Sequence, residues 1–122
     1  MILEFALEPV AQLCNSESEM SAWAGTGAPV LKRLFAELAA ADTLGVFSRL
    51  PFVRVVVGSA GRASAHNERA SVLLDPQVSD FRTTKIMDAE RAFVLAVAVD
   101  GTAFNPEGAR WPKQSALSPI TP

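Results

Sequence analysis

Tyrosine is absent from these 122 residues, and cysteine and histidine occur once each, as Cys14 and His66. A single cysteine rules out an internal disulfide framework and a cysteine-rich zinc site. With one histidine, a metal would have to sit among carboxylates, and no acidic loop with calcium-type spacing occurs. No run reaches the roughly 20 apolar residues that span a bilayer. A secretory signal is also not expected, because no Lys or Arg precedes Lys32 and Glu4 and Glu8 interrupt the opening apolar stretch. Gly-Lys-Ser and Gly-Lys-Thr are missing, which removes P-loop chemistry. The net charge of -2 gives no global field for nucleic acid or anionic lipid. These absences predict no cofactor, no membrane contact, no nucleic-acid partner and a cytoplasmic location, or a particle assembled in the cytoplasm.

What remains is apolar and moderately charged. Hydrophobic residues make up 49%, charged residues 20%, and mean hydropathy is +0.22, which excludes a disordered chain. The length suits one domain that buries roughly two-thirds of its unfolded surface.

The pattern along the chain predicts an α+β fold: one main amphipathic helix on a small, mostly antiparallel sheet, with an extended C-terminal tail. In MILEFALE, Leu3, Phe5 and Leu7 alternate with Glu4 and Glu8, a half-buried strand that Pro9 ends or confines to an edge. Residues 14–27, rich in Ser, Gly and acids, read as a loop or short helical turn. The main helix is expected over 29–41. Pro29 suits its first turn, Thr26 is placed to cap it, and Val30, Leu31, Leu34, Phe35 and Leu38 form the apolar stripe. A second short turn is expected through Leu44, Val46 and Phe47.

Strands are then expected at 52–58 and 70–74, with Gly58–Gly61 turning and Asp75-Pro76 breaking the second. Residues 81–87 read as an edge strand and 92–99 as a fully apolar central one. Asp100-Gly101 matches a two-residue hairpin turn returning through Thr102–Phe104. From Asn105 the composition changes: Pro106, Pro112, Pro119 and Pro122 forbid regular structure, so 1–104 reads as the domain and 105–122 as an arm.

Chemistry is thinly signalled. Cys14 and His66 could form a nucleophile–base pair only with a third group orienting the imidazole, and the spacing offers none. The turn after the apolar strand, with Gly58, Ser59, Gly61 and Arg62, could cradle an anion on its backbone N–H groups, with His66 nearby. The dinucleotide fingerprint is incomplete, since the third glycine and the following helix are missing. Arg62, Arg69, Arg82 and Lys85 make a basic middle interleaved with acids. The first 31 residues carry four acids and no basic side chain, so the two regions could meet as complementary faces of neighbouring subunits.

The sequence therefore points to a non-catalytic interaction subunit of a larger assembly that binds protein neighbours through a sheet edge and extended termini. Trp111, Pro112, Pro119 and Ile120 would be the contacts of its tail. Phage head–tail or tail components share this size and economy of build. The competing reading is a small ligand-binding protein or enzyme with a pocket near Gly58–Arg62 and His66.

Overall fold

The computed structural model describes residues 1–58, 60–80 and 82–112. It opens with strand Ile2–Phe5 (β1), which turns Leu3 and Phe5 toward the core as alternation predicts. Pro9 then does more than end a strand, for it sits in the first turn of helix Glu8–Asn15 (α1), where its missing N–H costs nothing. Of the two readings of residues 14–27, loop or short helical turn, the helical one holds and extends over most of the stretch, with Ser16 between two helices. Ser16 caps helix Glu17–Ala24 (α2), its Oγ accepting from the Glu19 N–H at 3.2 Å. Gly25, at φ 57°, ends α2, and a 3-10 turn at Gly25–Gly27 leads into helix Ala28–Ala40 (α3).

Leu31, Leu34 and Leu38 of α3 are fully buried, with Val30 and Phe35 packed beside them, which is the expected stripe. Thr26 does not cap this helix; its hydroxyl accepts from Arg69 Nη2 instead. The short helix Leu44–Ser48 (α4) is capped by Thr43 and buries Leu44 and Phe47.

Strand Arg54–Val57 (β2) is shorter than its apolar run, because Phe52 takes a positive φ of 65° that breaks extended structure. The turn after Gly58 leads into strand Ala63–His66 (β3), a strand the pattern did not announce. Strand Ala70–Pro76 (β4) runs through Asp75-Pro76 rather than breaking there. The expected edge strand is helix Thr83–Met87 (α5), with Phe81 outside the described residues. Strand Arg91–Val99 (β5) is central, and Asp100 and Gly101 take φ of 52° and 83° to return it into strand Thr102–Phe104 (β6).

The six strands form one mixed sheet in the order β1-β5-β4-β3-β2. One side of β5 is shared: β1 pairs in parallel with Arg91–Val94, and β6 pairs antiparallel with Val97–Val99. On its other side β4 runs the full length, with one irregularity. Leu73 faces Ala96 and Leu74 faces Val94, which leaves Leu95 as the extra residue of a bulge. Without that insertion, alternation from Ala92 and Val94 would turn Ala96 and Ala98 toward the core. The bulge turns Val97 and Val99 there instead, so the larger side chains meet the helices at both ends of the strand.

The 3-10 turn locks onto this strand through Gly27. A Cβ added at Gly27 would overlap the Val99 side chain, so the backbone approaches β5 as only glycine allows. Gly27→Ala is expected to cost about 1–3 kcal/mol by overpacking. In thermal unfolding, Val99→Ala in the same chain should recover part of that loss; a harmless Gly27→Ala would sink this reading of the contact.

Candidate functional site

The helices cover one face of the sheet, and chemistry-bearing side chains collect on the other. Strand register sets them in cross-strand rows. Arg54, His66, Ser71 and Ala98 form one row, and Val56, Ser64, Leu73 and Ala96 the next. At the turn end, the same alternation brings Gly58 opposite Arg62.

His66 is held at both ring nitrogens. Ser64 Oγ lies 2.7 Å from Nε2 and Ser71 Oγ 2.9 Å from Nδ1. A neutral imidazole has one N–H and one lone pair, so one serine donates to the ring and the other accepts from it. Burial, with the Arg54 guanidinium adding its charge, pushes the imidazole down from 6.5 to about 4. Ser64 is 1% exposed, so substrate has no access to its hydroxyl. Serines occupy both ring nitrogens and no carboxylate among the described residues orients the ring, while the neighbouring arginine opposes an imidazolium. The trio is a satisfied polar network, in contrast to the base of a nucleophilic triad.

Cys14 sits across the sheet from His66, among Leu3, Phe5, Met20 and Phe35 on the helix side, so the two never pair. Burial pushes its thiol up to about 12, which leaves almost no thiolate at neutral pH.

The expected anion cradle does not include His66, which lies four residues beyond Arg62 along an extended strand, about 13 Å away. Gly58 and Arg62 instead meet Trp111 and Pro112. A Cβ at Gly58 would point to the face away from the helices, and Pro112 Cβ lies 3.1 Å from that position. The chain leaving β6 has therefore crossed from one edge of the sheet to the other by residue 112. Together with Val57, Ala60, Glu107, Ala109 and Arg110, these residues line a cavity of about 820 Å³. Gly61, buried at φ 81°, shapes the turn beside it. Ser59, Pro119 and Ile120 lie outside the described residues.

The charges of the two regions are partly matched within the chain. Glu4 pairs with Arg91 at 3.3 Å, Glu17 with Lys32 at 2.5 Å, Arg69 with Asp100 at 2.8 Å and Arg82 with Asp80 at 3.1 Å. Arg33 pairs with Glu68. Glu8 and Glu19 of the acidic start, and Arg62 and Lys85 of the basic middle, form no ion pair among the described residues.

Sequence reasoning missed Arg54, Ser64, Ser71 and Arg110, which only strand register and the crossing of the tail bring into place. It also missed Phe52, whose ring is 88% exposed at the entrance to β2. Among the described residues no group of three or more His, Cys, Asp or Glu could hold a metal ion, and no helix is long and apolar enough to cross a membrane. No family model, curated protein or solved structure matches the chain.

Proposed function

We propose that the chain is a non-catalytic subunit that assembles with copies of itself through the outer edge of β2. The observation that carries this is the open edge. Gly58 N–H donates to the Arg62 carbonyl at 2.8 Å, so by antiparallel alternation Gly58, Val56 and Arg54 bond to β3. The N–H and C=O groups of Val55 and Val57 then point outward, and among the described residues no strand pairs with them. Unpaired edges of this kind are templates for strand addition.

The edge is also self-complementary. Two antiparallel copies can place a two-fold axis at Val56, with Val55 bonding to Val57 of the second copy. In that register Arg54 stands opposite a glycine, Gly58, so no like charges oppose each other. A four-residue strand alone buries too little for a stable dimer. Val46 at 41%, Leu50 at 36% and Phe52 at 88% exposure lie on α4 and the link into β2, and they extend the apolar surface beside the edge.

The test is the mass in solution across a concentration series. The full chain is expected to be dimeric. Val55→Pro should make it monomeric while the chain still folds cooperatively, since it removes an outward N–H and leaves the β3 ladder whole. Val56→Lys, which sets like charges face to face on the axis, should do the same and serves if the proline variant fails to fold. A wild-type monomer, or a dimer that survives Val56→Lys, overturns the proposal.

A further inference from the structure

We infer that the cavity between the β2–β3 turn and residues 107–112 is a binding site for a small organic anion that joins a phosphate or carboxylate to a flat ring. Arg33, Arg69, Arg82 and Arg91 each pair with a carboxylate of the chain. Arg62 and Arg110 form no ion pair among the described residues, and both line this cavity. Among the described residues Glu107 is the one acid in the lining and it pairs with neither, which leaves a positive excess there. Guanidinium groups offer two parallel N–H donors that match a carboxylate or phosphate edge. Beside them the half-buried Trp111 supplies an indole wall on which a planar ring can stack. The volume of about 820 Å³ falls in the usual range for organic ligands.

The wall that carries Arg110 and Trp111 is fixed without regular secondary structure. The Asn105 side chain donates to the Ala109 carbonyl at 2.8 Å and accepts from its N–H at 2.9 Å. Gly108 takes φ 63° to close this loop, and Pro112 seats on Gly58 at its other end. A wall ordered in advance spares a ligand the entropy cost of ordering it. Arg62, Arg110 and Trp111, which carry the recognition, lie outside the stretch Arg54–Gly58 that would pair at the β2 edge.

Trp23 lies against Phe104, at a ring-centroid distance of 6.0 Å, and does not line the cavity. Trp23→Phe therefore leaves Trp111 as the only tryptophan and its fluorescence as a direct reporter. The probes are adenosine monophosphate and nicotinate as ring-bearing anions, with adenosine and inorganic phosphate as the separated halves. Saturable quenching is expected from at least one ring-bearing anion. Which of the two binds more tightly separates phosphate from carboxylate recognition, and each half alone should bind about tenfold more weakly or worse. Arg62→Gln and Arg110→Gln should each weaken binding by about tenfold, the loss of one charge-assisted hydrogen bond. A shift in the melting temperature of the unsubstituted chain reads the same binding should Trp23→Phe fail to fold. No saturable response to either ring-bearing anion at millimolar concentration overturns the inference. Equal affinity in the Arg62→Gln/Arg110→Gln chain does so as well.

Discussion

Leu34→Ala is expected to cost about 2–5 kcal/mol of unfolding free energy, the range for a leucine removed from a core that cannot collapse around the gap. Leu34 is fully buried at the centre of α3, between Leu31 and Leu38 on the same face. That face lies on the sheet over β4, where Val72 and Leu74 are equally closed to solvent. The helix is also held at both ends. Gly27 is seated against Val99 at its start, and at its end the Met1 ammonium donates to the Ala39 carbonyl at 3.1 Å. A helix fixed in this way has little freedom to shift into a cavity, which places the expected loss toward the upper half of the range. Urea unfolding should show a lower midpoint with an unchanged slope. A loss under about 1 kcal/mol would mean that the stripe does not carry the helix–sheet interface.

His66 should make stability depend on pH in a window where carboxylates do not. The folded state keeps this imidazole neutral down to about pH 4, while the unfolded chain protonates it near 6.5. Between those values the unfolded state binds more protons, so stability falls as pH drops from about 6.5 to about 4. The loss is at most about 3 kcal/mol, given 1.36 kcal/mol per pH unit. Glu17, Asp80 and Asp100 are also held below their ordinary values by hydrogen bonds from lysine or arginine partners, and Glu68 by a backbone hydrogen bond first and Arg33 second. Their contribution is lost only as pH falls below those ordinary values of 4.5 and 3.8. The stretch from pH 6.5 to 5 therefore belongs to the histidine. Unfolding of His66→Gln followed over that stretch should be flat where the parent chain slopes. A parallel slope in both would place the titrating group elsewhere.

Local signals that agree with the tertiary fold were readable from sequence. Leu3 and Phe5 alternate as β1 requires, Pro29 and the leucine stripe define α3, and Asp100-Gly101 takes the positive φ angles that the turn demands. Ser16, whose side chain caps α2, is an equally local signal, but the serines and acids around it suit a loop as well as a helical turn. β3 was hidden because Ala-Ser-Ala-His has little strand preference of its own. It is extended because β2 and β4 pair with it on both sides. Asp75-Pro76 looked like a break, yet Pro76 sits at the last rung of its strand, where one missing N–H costs little.

The candidate site was half legible. Gly58, Arg62, Trp111 and Pro112 were each singled out, but on separate grounds. Their meeting depends on a chain crossing that no local pattern encodes. The separation of His66 from Arg62 follows from β3 being straight, which the sequence reading did not include.

The division of one side of β5 between the first strand and the last sets the order in which the molecule can form. Ile2 pairs with Arg91, so β1 has no partner until most of the chain exists. During synthesis α1, α2 and α3 leave the ribosome before any of β2–β6, with their apolar faces uncovered. Pairings this distant in sequence slow folding, because a long loop must close before any contact rewards it. The sheet can thus close around β1 only once β5 has been made, and the most vulnerable interval is the one in which the helices await their sheet.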